Sequence, residues 1–151
     1  MRAHPRLAAV PFAVLALAAL ATLGVAAPAQ AKELKGAAIL AHPCGKVALQ
    51  HMTLVHDGKM DEATKLGTKA MQEEWAAMPK DQRDMMSGMM KEMSMSKDDF
   101  SKAIEANGTL TVEAKSATLE VVKETKDANG TSKETTTQKY ELEGDVCRIT
   151  H

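Results

Sequence analysis

Aromatic residues are scarce in this chain. Its 151 residues include one Trp, one Tyr and two Phe. Beyond the N-terminal leader described below only Trp75, Phe100 and Tyr140 remain. The core therefore has to be assembled from Leu, Val, Ala and Met. Neither sign of charge dominates. Of the 19 Lys and Arg, Arg2 and Arg6 belong to the leader, so 17 face 20 Asp and Glu, a net charge of about −3. A mildly acidic chain has no electrostatic case for nucleic acid or an anionic membrane. There is no GxSxG, no P-loop, no HExxH and no CxxC. The local patterns of serine hydrolases, nucleotide-binding loops, zincins and thiol redox enzymes are thus all missing. Long apolar runs are also missing after residue 25.

The one long apolar run is residues 7–25. It follows Arg2 and Arg6 and precedes Ala29, Gln30 and Ala31, an A-x-A cleavage pattern. This is the layout of a secretory signal peptide over residues 1–31. It predicts an exported domain, periplasmic or secreted, of residues 32–151, with no membrane association after cleavage. An uncleaved anchor is the alternative. Two cysteines survive cleavage, Cys44 and Cys147. In an oxidising compartment an even number favours a disulfide, here one that ties the first helix to the last strand. Two separate buried thiols are the other possibility.

The C-terminal third carries the strand signal. Leu110, Val112 and Ala114 alternate with polar residues, as do Ala117, Leu119 and Val121. Period-two alternation marks half-buried strands. Asn129-Gly130 predicts a tight hairpin turn, because both residues tolerate positive φ. Glu143, Gly144 and Asp145 form a second turn before a closing strand with Cys147 and Ile149 on one face. The far end of the central hairpin, residues 124–137, is polar on both faces and is expected to project into water.

The preceding stretch reads as helices. Residues 32–41 are a lead-in, partly helical. His42-Pro43 opens a first helix bearing Val47, His51, Leu54 and Val55, and Asp57-Gly58 ends it. Asp61 caps a second helix with Ala63, Leu66, Ala70, Met71 and Trp75 on its apolar face, ended by Pro79. Asp81 caps a third, residues 82–93. Ser96 and Asp99 form a capping box for a short fourth carrying Phe100 and Ile104. The predicted fold is α+β: three or four N-terminal helices packed on a curved four-stranded antiparallel sheet.

Spread-out positions resemble a known superfamily. They are Pro43, Val47, His51 and Leu54, then His56-Asp57-Gly58, Ala63 and Leu66 in the helical half. In the sheet they are Ser116-Ala117-Thr118-Leu119-Glu120-Val121, Tyr140-Glu141-Leu142, Gly144-Asp145 and Val146-Cys147-Arg148-Ile149. Together they resemble the cone-shaped nuclear transport factor two-like, or ketosteroid-isomerase-like, superfamily, and in particular its small exported bacterial members of unknown function. Cys147 stands where those proteins usually carry a Trp. The resemblance implies helices enclosed by a curved antiparallel meander. Enzymes of that superfamily use acidic or His residues inside the cone. No such set maps onto this chain, whose inner strand faces are expected to hold Ala, Leu, Val, Tyr and Cys. Such a fold says little about function.

Two features could carry function. Ten of the eleven methionines lie between Met52 and Met95. Met85, Met86, Met89, Met90 and Met93 fall within about 140° of one helix face. A Met face is most simply flexible core packing. It can also line a groove for an apolar ligand, with Met86, Met89, Met90, Met93, Trp75 and Tyr140 as the candidate lining. A third option is soft thioether ligation of Cu(I) by Met85, Met86, Met89, Met90 and Met93, which needs several sulfurs accessible to solvent. His42, His51, His56 and His151 read as surface or cap residues, with His42 and Cys44 a compact possible ligand pair. The expectation is a non-enzymatic domain without a cofactor, binding a small apolar molecule or a periplasmic protein between sheet and Met-rich helix. An isomerase-type reaction would require an ionisable residue inside the cone.

Overall fold

A computed structural model describes residues 31–127 and 130–151. Residues 1–30, and with them the expected signal peptide apart from Ala31, lie outside the described residues, as do Ala128 and Asn129, on which the expected tight turn falls. The described chain is α+β. It runs β1 (Lys32–Lys35), α1 (Ala37–Ala41), α2 (Pro43–His56), α3 (Met60–Thr64), α4 (Lys69–Ala77), α5 (Lys80–Met93), α6 (Lys97–Asn107), β2 (Gly108–Val112), β3 (Ser116–Asp127), β4 (Gly130–Glu143) and β5 (Val146–Thr150). No helix among the described residues is long and apolar enough to cross a membrane.

The sheet is an open antiparallel meander in the order β1-β2-β3-β4-β5. It has five strands where four were expected. β1 carries one apolar residue, Leu34, too little for a strand signal. Leu34 sits opposite Leu110 of β2, so a partner strand makes the element. The alternation read from sequence holds across β2 to β5. Leu110, Ala117, Leu119, Val121, Tyr140, Cys147 and Ile149 are all buried on the helix side. β3 and β4 are longer than their neighbours. β2 covers β3 only up to Val121, and β5 covers β4 only from Lys139. The rest of the β3–β4 hairpin is paired only with itself. From Gly130 to Thr137 its residues are exposed.

Two helices form the roof. Pro43 starts α2, and the His42 side chain caps it by accepting from the Cys44 amide at 3.2 Å. α2 buries Cys44, Gly45, Ala48 and Val55. Gly45 lies where α1 crosses α2 most closely, and a Cβ there would stand 1.8 Å from the Ile39 carbonyl oxygen. The Ser96 hydroxyl accepts from the Asp99 amide, so the capping pair starts α6 as expected. α6 places Phe100 and Ile104 against the core formed by Ile39, Leu110, Leu119 and Tyr140. The Cys44–Cys147 disulfide joins α2 to β5 across 103 residues, with Cα atoms 5.1 Å apart.

The remaining helices differ from expectation in three ways. The helix expected from Asp61 to Pro79 is split into α3 and α4. Between them, Leu66, Gly67 and Thr68 pair with β5. The Ile149 amide donates to the Leu66 carbonyl at 3.1 Å, and the Thr68 amide donates to the Ile149 carbonyl at 2.8 Å. Gly67, a weak helix former, and Thr68, a good N-cap, make the interruption inexpensive. The ladder bonds then satisfy the freed backbone groups. Secondly, the Met-rich helix α5 does not lie on the sheet. It packs on α2, and neither α4 nor α5 has a fully buried residue. Thirdly, neither aspartate expected as a cap is one: Lys59 and Pro79 occupy the N-cap positions of α3 and α5, so Asp61 and Asp81 sit in the first turns, where a carboxylate favours the helix dipole.

Candidate functional site

Because α5 stands off the sheet, the space between them is not filled. A cavity of about 550 Å³ lies between α2, α3, α4 and α5 on one side and β4 and the end of β5 on the other. Its apolar wall comprises Met60, Met71, Met78, Met86, Met90, Trp75 and Ile149. Met86 and Met90 are one helical turn apart, so α5 presents both to the same side. Trp75 is held in place. Its Nε1–H donates to Asp61 Oδ1 at 2.7 Å, and Arg83 Nη1 of α5 lies 3.9 Å from the same oxygen. Asp61 thus ties α3, α4 and α5 together at the tryptophan.

The opening is polar. Thr64, Glu74, Thr137, Lys139 and His151 line it. His151 Nε2 approaches Glu74 Oε2 at 2.9 Å, linking the chain after β5 to α4. His51 of α2 is the ionisable group set deepest. Desolvation lowers its pKa below the ordinary histidine value, so the ring is neutral at neutral pH. Among the described residues the imidazole has no hydrogen-bond partner in the protein.

Below the cavity lies a second void of about 20 Å³, walled by His51, Met52, Phe100, Thr136, Gln138 and Tyr140 among others. His51 and Gln138 belong to the walls of both. Tyr140 is 1% exposed, and its hydroxyl is buried with no hydrogen-bond partner. Burial raises its pKa, so it remains a neutral O–H group.

Of the residues expected to line a groove, Met86, Met90 and Trp75 come together. Met89 and Met93 do not. They lie on the outer half of the α5 face, 50% and 72% exposed, beside Met85 at 67%. The five methionines therefore do not form one cluster. Helical periodicity identifies an apolar face but not how much of it a neighbour covers. Tyr140 belongs to the core beneath the cavity, not to its wall.

Met60, Met71, Met78, His51 and Gln138 were missed as lining residues. Two of them had a readable signal. Cys44, Ala48, His51 and Val55 follow the spacing of one α2 stripe, which turns His51 inward. Gln138 is two residues from Tyr140 on β4 and so shares its inner face. The inner faces are thus not wholly apolar. His42, Cys44 and Cys147 place their ligand atoms within 4.8 Å of one another, but both sulfurs are joined in the disulfide. Comparison with known protein families, with curated proteins and with solved structures returned no match.

Proposed function

We propose that this is an exported, non-enzymatic binding domain that takes a small apolar molecule into the cavity between α5 and the sheet. The carrying observation is the cavity itself, about 550 Å³ with a Met, Trp and Ile wall and a polar mouth. Ligand sites commonly occupy about 300–1,000 Å³, with apolar walls and few polar groups. Thioether side chains adapt to ligands of differing shape, which suits a carrier or receptor. The lone His51 has no acid or base hydrogen-bonded to it and nothing to orient it, which favours binding over acid–base catalysis. The leader pattern at residues 1–31 supports a periplasmic or secreted location. The resemblance to the cone-shaped superfamily is consistent with helices on an antiparallel meander and is part of this proposal.

Trp75 is the single tryptophan of the chain and lines the cavity. Titration with apolar probes followed by its emission therefore reports on this site alone. A saturable blue shift is expected. It should be lost when Met86 and Met90 are replaced together by Glu. A shift that survives this replacement would place binding elsewhere and refute the reading.

A second reading follows from Met85, Met89 and Met93. Their exposure leaves three thioethers accessible on one side of α5, as Cu(I) capture requires. Anaerobic competition against a chromophoric Cu(I) chelator tests it. Binding that disappears in the Met85→Leu, Met89→Leu, Met93→Leu variant, with an unchanged melting temperature, would support metal handling. No competition by the wild type would retire it.

A further inference from the structure

Two exposed surfaces outside the cavity match each other in length and charge. The first is the outer stripe of α5. Met85, Met89 and Met93 follow one another at four-residue spacing and are all exposed. The stripe runs about 12 Å along the helix axis. Asp81 and Glu92 are exposed and flank it on one side, within about 80° of Met89 around the helix. Gly88 lies on that side too, with nothing within 4 Å of an added Cβ, so a partner can approach the backbone there. The second surface is a groove of about 310 Å³ between α2 and the start of α6. Leu49, Thr53 and Leu54 form its half-buried floor, and the exposed Lys46 and Lys97 stand at its rim. The Thr53 hydroxyl donates to the Leu49 carbonyl at 2.8 Å and is already satisfied. From Lys46 to Leu54 the groove also follows about 12 Å of helix. Among the described residues none of Asp81, Glu92, Lys46 and Lys97 is in an ion pair.

We propose that these two surfaces bind each other between copies of this chain: the α5 stripe of one copy lies in the α2–α6 groove of the next, with Asp81 and Glu92 beside Lys46 and Lys97. Charge selects this occupant. The only charged groups lining the groove are the two lysines. The groove therefore favours an apolar stripe flanked by carboxylates, and the outer face of α5 is one. α5 is not matched to itself. A two-fold antiparallel pairing across Met89 brings the Asp81 and Glu92 sides of both copies together, like charge against like. The contact is head-to-tail, so it does not close with two copies and builds a longer chain or a ring. A groove of this size with its charges at the rim gives weak association, with a Kd of about 0.1 mM. None of these residues lines the cavity, so the inference is independent of what the cavity binds.

The test is sedimentation velocity of the domain of residues 32–151, disulfide intact and copper excluded, from about 10 µM to about 1 mM, a range that brackets this Kd. A stripe variant carries Met85→Glu and Met89→Glu. A groove variant carries Lys46→Glu and Lys97→Glu. All four side chains are exposed, and unchanged melting temperatures show that both variants fold. Gln replaces Glu in either variant whose melting temperature falls. The wild-type average mass should reach about twice that of the monomer near 0.1 mM and continue to rise. Each variant alone should stay monomeric. Their equimolar mixture should associate to the mass of a dimer and no further, because one intact stripe then meets one intact groove and neither chain can extend the assembly. A wild type that stays monomeric at the highest concentration overturns the proposal, as does association that requires added Cu(I). Association by either variant alone places the contact elsewhere on the surface. A mixture that stays monomeric shows that stripe and groove are not partners. Either result refutes the inference.

Discussion

Replacing Tyr140 by Phe is expected to stabilise the unliganded protein, the reverse of the usual effect of removing a buried tyrosine hydroxyl. The ring of Tyr140 packs among Ala48, Phe100, Leu119 and Val121, and a phenylalanine ring fits the same space. The only change is the loss of an O–H that is out of contact with solvent and has no partner. Had the hydroxyl been satisfied, its removal would cost about 0.5–1.5 kcal/mol. Left unsatisfied, it carries a desolvation penalty of about 1–3 kcal/mol that the folded state sheds in the variant. Allowing for relaxation around it, a gain of about 1–2 kcal/mol is expected. For a domain of this size that raises the melting temperature by roughly 3–8 °C. Urea melts of both proteins with the disulfide intact supply the free energies, and calorimetry the midpoints. A midpoint that falls by more than about 1 kcal/mol equivalent would show that the hydroxyl has a partner, a bridging water for example, and would refute the reasoning.

Other perturbations probe the frame that holds the cavity. Replacing Cys44 and Cys147 by Ala opens a loop of 103 residues and should cost about 4–5 kcal/mol in the chain-entropy model, read as a lower denaturation midpoint than that of the oxidised wild type. A loss below about 1 kcal/mol would mean that the unfolded chain is already compact. Gly45→Ala puts a methyl group 1.8 Å from the Ile39 carbonyl oxygen and should destabilise by about 3 kcal/mol or more, whereas Gly88→Ala meets nothing within 4 Å and should be neutral or mildly stabilising. Equal effects at the two sites would contradict the close α1–α2 crossing. The pH dependence has a defined sign. His51 and His42 have folded pKa values lowered chiefly by desolvation, with Lys32 adding to the effect at His42. The unfolded chain therefore binds more protons, so the contribution of these groups is fully present above about pH 6.5 and is lost as pH falls through the depressed folded values. Urea midpoints at pH 7.5 and pH 5.5 should differ less in His51→Gln than in wild type, and an unchanged difference would show that His51 is not desolvated.

Much of the frame was legible because it is written in local chemistry. The alternation through Leu110, Ala117, Leu119 and Val121 and again through Tyr140, Cys147 and Ile149 needs no partner to be read, since a strand has a period of two whatever it packs against. Pro43, Ser96 and the Gly58 turn mark helix ends through backbone preferences that act within a few residues. The disulfide was favoured by the even number of cysteines and the expected oxidising compartment, with the two cysteines on elements expected to face each other.

The sequence by itself thus determined the α+β class, the core strands β2 to β5, the bounds of α2 and the start of α6, and it favoured the Cys44–Cys147 link. The tertiary structure decided the rest, in each case through contacts distant along the chain. β1 is a strand because β2 offers it an edge. The helix breaks at Leu66 to Thr68 because β5 offers two backbone bonds. α5 leans on α2 and not on the sheet, and this divides one methionine face into Met86 and Met90 within and Met85, Met89 and Met93 without. A periodic pattern states which residues share a side of a helix. Only packing against a particular neighbour determines how much of that side is covered, and here the uncovered space is the cavity.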